Sequence, residues 1–206
     1  MASKLNLERE RVRNEIAMLA ARLIAENGLD YASAKRKAAR QIVGEARVSG
    51  ELLPDNEQIE EEIREYWALF HGDTQPGLLR RLREAALDWM TRLAQFEPYL
   101  TGAVLNGTAG AHSDIHLQVF CDNPKDVAIH LLNAGVRYDV SETRHFAGRG
   151  WVETLSFIAH DGDGSPVGVH VALYDANDLR GAVRADARGR QARANAASIR
   201  ALLDAG

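Results

Sequence analysis

Residues 105–120 read Leu105-Asn106-Gly107-Thr108-Ala109-Gly110-Ala111-His112-Ser113-Asp114-Ile115-His116-Leu117-Gln118-Val119-Phe120. A turn of small residues leads from one apolar segment into a second segment, in which polar and apolar residues alternate. Asp114, His116 and Gln118 are two residues apart, so an extended chain places their side chains on one face. The apolar residues between them then face the core. The stretch predicts a strand that opens with Ser113-Asp114, with Asp114 at the start of its polar face.

This stretch is suited to hold a phosphorylated ligand. The small residues at Gly107 and Thr108 let the backbone approach phosphate groups closely. The Asp114 carboxylate offers oxygen ligands to a hard divalent cation. A second alternating segment, at residues 168–173, offers His170. We expect Asp114, His116 and His170 to converge on one sheet face, from adjacent strands.

The stretch resembles the signature of the DNA polymerase β-like nucleotidyltransferase superfamily. In that signature a Gly-Ser turn and a loop precede Ser-Asp-hydrophobic-Asp-hydrophobic; here Gly107-Thr108 stands at the turn and Ser113-Asp114 at the Ser-Asp pair. The resemblance covers about residues 99–175. It implies an α+β fold, with a helical N-terminal region packed on a nucleotidyltransferase-like mixed sheet with flanking helices. It also implies that Asp114 is catalytic, that Gly107, Thr108 and Ser113 bind the nucleotide, and that Mg²⁺ or Mn²⁺ is the cofactor.

The sequence departs from this signature at the metal ligands. His116 stands where the superfamily has its second carboxylate, and His170 is the candidate for the position of the third. A metal set of Asp114, His116 and His170 suits a softer ion than Mg²⁺, because two of its three ligands are imidazoles. We therefore expect a catalytically divergent protein with weak or absent nucleotidyl transfer.

The periodicity of apolar residues changes along the chain and predicts two domains. Apolar residues recur at helical spacing through the first half, which predicts helices at 7–27, about 33–43, after Asp55 or Asn56, and after Pro76. Strands are predicted at 104–105, 115–121, 136–140, 151–159 and 167–174, with helices at about 124–133 and 194–203. The sequence thus predicts a helical region at residues 1–97 and a nucleotidyltransferase-like α+β domain at residues 98–206.

Composition limits the partners that we expect. Of 206 residues, 26% are charged and the formal net charge is −4, which argues against a uniformly basic nucleic-acid binder. No apolar run is long enough to span a bilayer, and the single Cys121 cannot form an internal disulfide, so we expect a cytoplasmic protein with no membrane partner. The C-terminal arginines, Arg188 and Arg190 foremost, could clamp a phosphate. The expected partner is a nucleotide or a phosphorylated small molecule; the sequence identifies no protein partner.

Three functions remain open on this sequence. We place first a nucleotidyltransferase-fold protein that binds a nucleotide or phosphorylated ligand without catalysis. The alternative is an active metal-dependent enzyme that moves a nucleotidyl group from an NTP to an unknown acceptor. A distant third is a DNA-binding regulator, because residues 20–28 resemble the first helix of TetR-type repressors.

Overall fold

The computed structural model describes residues 2–44, 49–184 and 191–205, and side chains from Asn6 onward. Over these residues the α-helices are α1 Ala2–Asn27, α2 Tyr31–Val43, α3 Asn56–Phe70, α4 Gln75–Arg92, α5 Gly102–Asn106, α6 Pro124–Asn133, α7 Leu179–Ala182 and α8 Ala196–Ala205. The strands are β1 Tyr99–Thr101, β2 Ile115–Cys121, β3 Asp139–Arg144, β4 Trp151–His160, β5 Pro166–Asp175 and β6 Arg193–Ala194. The predicted α+β class is confirmed.

The chain divides into two compact units. Unit 1 is residues 1–76 together with the loop 108–112, and unit 2 is residues 77–107 and 113–206. Most of α4 therefore belongs with the sheet, although the sequence places this helix in the helical region. The predicted domains at 1–97 and 98–206 stay a prediction.

Unit 1 contains α1, α2 and α3 around a core of small and branched residues. Both α2 and α3 contact α1. Asp30 caps α2 by accepting a hydrogen bond from the Ser33 backbone N–H at 3.0 Å. Asp55 and Gln58 form a reciprocal capping box at the start of α3, which satisfies backbone N–H groups that the first turn leaves unpaired. The buried residues at its centre include Ile16, Ala20, Ala34, Ile59, Ile63 and Trp67.

Unit 2 is built on a mixed sheet that, over the described part of the chain, has six strands in the order β3-β4-β5-β2-β1-β6. The pair β2–β5 is parallel and the other neighbouring pairs are antiparallel. The core face of β2 is fully buried, with Ile115, Leu117 and Val119 at most 1% exposed. The helix α4 lies on this side of the sheet, where the rings of Trp89 and Phe157 pack with their centroids 4.5 Å apart.

One predicted strand is wrong, because residues 104–105 lie in the helix α5. The two residues are too short a run for their pattern to separate strand from helix. The Arg83 guanidinium donates to the backbone oxygens of Val104 and Leu105, at 3.1 and 3.2 Å. These bonds satisfy carbonyls that the end of a short helix leaves unpaired, so a distant side chain helps to stabilise α5.

A second strand begins later than predicted. The sequence predicts a strand at 136–140, whereas β3 starts at Asp139. The Val136 N–H bonds the Leu131 oxygen and the Gly135 N–H bonds the Leu132 oxygen, both at 2.9 Å, with Gly135 at φ 75°. The backbone at Val136 is therefore used to end α6.

One apolar residue of α3 is exposed although the helical spacing predicts that it is buried. The residues predicted to share one buried stripe are Ile59, Ile63, Tyr66, Trp67 and Phe70. Phe70, the last residue of α3, is 67% exposed and packs against Tyr66 with ring centroids 4.9 Å apart. Elsewhere in α3 the predicted stripe is confirmed by the buried Ile59, Ile63 and Trp67.

Along the described segments, none of the helices combines the length and the apolar character needed to cross a membrane.

Candidate functional site

The polar side chains of unit 2 form a row across four neighbouring strands. The strand register places Thr101 of β1 beside His116 of β2, His116 beside His170 of β5, and His170 beside Ser156 of β4. Neighbouring residues in such a row point to the same face of a sheet. The row lies on the face opposite the buried core residues of β2, and its side chains line a cleft.

Three side chains at this row form a hydrogen-bonded chain. His170 Nε2 lies 3.1 Å from Asp114 Oδ2, and His170 Nδ1 lies 2.8 Å from Ser156 Oγ. An ionised carboxylate only accepts hydrogen bonds, so the Nε2 proton is donated to Asp114. In a neutral ring Nδ1 then accepts the Ser156 hydroxyl proton. The two hydrogen bonds therefore run in the same direction: Ser156 donates to His170, and His170 donates to Asp114.

A glycine allows Asp114 to reach this position. The Gly168 backbone N–H donates to Asp114 Oδ1 at 3.2 Å. A Cβ added at Gly168 would lie 2.5 Å from Asp114 Oδ1 and 2.6 Å from Asp114 Cγ. Any larger residue here would displace the carboxylate from the hydrogen-bonded chain.

His116 stacks against His170, with ring centroids 4.9 Å apart and an interplanar angle of 17°. Burial lowers the pKa of the His116 imidazole below its ordinary value; the neighbouring His170 lowers it further and Asp114 opposes the shift. Although His116 keeps contact with solvent, the surrounding protein displaces much of its hydration. The neutral form of His116 is therefore favoured in the folded protein.

Two cavities are lined in part by residues of this face of the sheet, and the larger one also reaches Trp89 and Phe157 of the core side. The larger, of about 650 Å³, is lined by residues that include Asp114, Ser156, His170, Arg137 and Ile158. The smaller, of about 290 Å³, is lined by residues that include Thr101, His116, Arg144 and His170. Since His170 lines both cavities, a ligand in either one would contact the hydrogen-bonded chain.

The predicted convergence of Asp114, His116 and His170 is confirmed, but the three do not fit a Mg²⁺ site. Asp114 already accepts hydrogen bonds from Gly168 and His170, and the other two donors are imidazole nitrogens, which a hard ion disfavours. Among the residues with described positions, no three or more His, Cys, Asp or Glu side chains form a group that could hold a metal ion. A softer ion at this site stays a prediction.

The residues predicted to bind a phosphate are spread over the two units. Gly107 ends α5 in unit 2 with φ 84°, as a turn glycine does. Ser113 also belongs to unit 2, whereas Thr108 belongs to unit 1 and is 4% exposed. Arg188 and Arg190 lie outside the described residues.

A further C-terminal arginine is held by the protein itself. The Arg193 side chain donates from Nε to Gln118 Oε1 and from Nη1 to the Ala182 oxygen at 2.9 Å, and it lies over the Phe146 ring at 4.3 Å. These contacts tie β6 to the exposed face of β2. Arg193 therefore has a structural role.

Sequence reasoning missed Ser156 and Gly168. Ser156 lies in an alternating segment, Thr154 to Ile158, where a two-residue period already placed it on the face opposite Leu155 and Phe157. That period predicts the face of the strand. The neighbouring strand and its register, which bring Ser156 to His170, are not encoded in a local pattern.

The fold and site define an α+β protein with a histidine-centred cleft. Comparison of the chain with models of protein families, with curated proteins and with solved structures found no match. The likeness to nucleotidyltransferases thus rests on the residues of the motif itself.

The lowered pKa of His116 predicts a pH-dependent stability. The unfolded chain takes up a proton at His116 below about pH 6.5, while the folded protein resists protonation until a lower pH. The free energy of unfolding should therefore fall as the pH drops below about 6.5, and the loss should be smaller in His116→Gln. Urea unfolding at pH 7.5 and 5.5 measures this difference.

The control is His160→Gln, which removes an exposed imidazole at the end of β4. It should keep the wild-type loss of stability between the two pH values. An equal loss in wild type and His116→Gln would contradict the prediction.

Proposed function

We propose that this chain is a nucleotidyltransferase-like protein that binds a nucleotide or a phosphorylated small molecule and has lost metal-dependent transfer. One observation carries the proposal: the carboxylate that the superfamily resemblance assigns to a metal is hydrogen-bonded to His170 and to the Gly168 N–H. Imidazoles stand at the positions where further carboxylates would be needed. In this proposal the site is still a polar cleft, but its ligands, two imidazoles and one carboxylate, do not suit Mg²⁺.

The smaller cavity supports a phosphate as the bound group. Arg144, at the end of β3, contributes a guanidinium, whose fork of N–H groups matches phosphate oxygens. Thr101 and His116 line the same cavity and supply a hydroxyl and a ring nitrogen. A volume of about 290 Å³ lies just below the usual range of about 300–1,000 Å³ for small-molecule sites, which suits a compact ligand.

The test measures binding and transfer separately. Thermal stability is recorded with ATP, GTP, CTP, UTP and pyrophosphate, each with Mg²⁺ and with EDTA. We expect at least one of these ligands to raise Tm in EDTA. Arg144→Gln should weaken the affinity for that ligand by about tenfold or more, since a hydrogen bond to a charged group contributes about 1.5–3 kcal/mol. Arg200→Gln removes an exposed charge of α8 and should bind as wild type does.

Transfer is then followed with radiolabelled NTPs and Mg²⁺ or Mn²⁺ in cell lysate. We expect no incorporation above background. Metal-dependent incorporation that is lost in Asp114→Ala would establish the active-enzyme alternative instead. If neither the four NTPs nor pyrophosphate changes Tm, the binding proposal is overturned.

A further inference from the structure

We propose that Ser156 is a nucleophile, activated by His170 and positioned through Asp114, that accepts an acyl group from an activated ester bound in the larger cavity. This activity goes beyond the ligand binding proposed above and does not depend on a nucleotide. Its basis is the hydrogen-bonded chain of serine, imidazole and carboxylate on one sheet face. A nucleophile, a base within hydrogen-bond reach and a third group that orients the base are the parts that nucleophilic catalysis requires.

The geometry assigns a role to each member of the chain. Ser156 Oγ lies 2.8 Å from His170 Nδ1, within the reach expected of a general base. His170 Nε2, 3.1 Å from Asp114 Oδ2, donates its proton to this carboxylate, so the free electron pair of the ring is on the nitrogen that faces Ser156. The Gly168 N–H fixes the other carboxylate oxygen. The stacked His116 restricts the plane of the His170 ring.

The reaction would proceed in two balanced steps. Ser156 Oγ attacks the carbonyl carbon while its proton moves to His170 Nδ1; the ester C–O bond then breaks and the alcohol leaves with that proton. Water next attacks the acyl-serine, gives one proton to His170 Nδ1, and releases the carboxylic acid as Ser156 regains its proton. Water is the co-reactant, and no change of oxidation state occurs.

The lining of the larger cavity indicates the kind of ester. Ile158 lies two residues from Ser156 on the same face of β4 and is 67% exposed, so it offers an apolar surface to a small acyl group. Arg137 lines the same cavity and is positively charged at neutral pH. In this proposal its charge offsets the negative charge that forms on the carbonyl oxygen.

The first test uses an alkyl fluorophosphonate, which forms a phosphorus–oxygen bond with an activated serine and releases fluoride. Intact-mass measurement of the full chain, without nucleotide, should show one adduct, and peptide mapping should place it on Ser156. Ser156→Ala should abolish the adduct. The control, Ser165→Ala, removes an exposed hydroxyl from the loop that joins β4 and β5 and should label at the wild-type rate.

The second test separates catalysis from a structural role. His170→Ala should label about 100-fold more slowly, the scale of a general base, and added imidazole should restore part of the rate. Asp114→Asn should slow labelling and Asp114→Glu should restore part of it. Circular dichroism checks that each variant folds.

The results distinguish this inference from the proposed function. Three results would each overturn the assignment of Ser156 as a nucleophile. The wild type forms no adduct, the adduct persists in Ser156→Ala, or imidazole does not rescue folded His170→Ala. None of these outcomes bears on whether an NTP or pyrophosphate raises Tm. Conversely, labelling at Ser156 with no Tm response would support the nucleophile alone.

Discussion

Replacing Gly110 with Val is expected to destabilise unit 1 by about 2–4 kcal/mol, through overpacking and the strain on a buried hydrogen bond. A Cβ at Gly110 would lie 2.4 Å from Trp67 Cζ2 and 2.8 Å from Trp67 Cη2. The indole cannot simply move away, because it is 9% exposed and its Nε1–H donates to the Thr108 oxygen at 3.1 Å. Urea unfolding, followed by tryptophan fluorescence, measures the loss.

The matched control is Gly50→Ala in the same unit. A Cβ at Gly50 would meet no heavy atom within 4 Å, so the midpoint of unfolding should stay close to that of wild type. Equal midpoints for Gly110→Val and Gly50→Ala would show that the loop 108–112 can shift to make room for the valine without disturbing the packing of the indole. That result would contradict the packing described here for Trp67.

Replacing Gly168 with Ala is expected to break the hydrogen-bonded chain at the site. The new methyl group would occupy the space of the Asp114 carboxylate, so Asp114 must rotate away from His170. We expect a stability loss of about 1–3 kcal/mol from the forced side-chain shift. We also expect the His170 Nε2–H to lose its carboxylate partner. Nitrogen-15 NMR of the imidazoles, which reports the tautomer and hydrogen bonding of each ring, checks the second effect.

Gly162→Ala provides the control in the loop that joins β4 and β5. A Cβ at this position would have no heavy atom within 4 Å, and the His170 signals should remain those of wild type. If Gly168→Ala leaves the His170 signals unchanged, Asp114 does not orient this ring. The nucleophile proposal would then lose its positioning residue.

Local signals predicted most of the helices and strands. The helix predicted after Asp55 or Asn56 is α3, with Asp55 as its cap, and α1 ends at Asn27 as predicted. The alternation from Ile115 onward gave both the limits of β2 and its buried face. In each case the deciding interaction lies within a few residues of the chain, either as a cap or as a periodic pattern. The exceptions are the short elements β1, α5, α7 and β6 and the start of β3, where too few residues lie in each element for a periodic pattern to appear.

The candidate site was predicted in part, for the same reason. The period of two placed His116 and His170 on the polar faces of their strands, and their convergence is confirmed. Ser156 and Gly168 were not singled out, because neither carries a recognisable motif. Their importance appears only when strand pairing puts each of them against a particular partner.

By itself, the sequence determined which side chains of β2 face the core, that His170 lies on the polar face of its strand, and where most of the longer helices begin and end. Those features follow from backbone geometry and from contacts between residues close in the chain. The tertiary structure decided that β5 lies between β2 and β4, and in which register. That pairing joins Asp114 to His170 across 56 residues, and Ser156 to His170 across 14. A shift of one residue in either pair would turn these side chains to opposite faces, so the chemistry of the cleft is a property of the register.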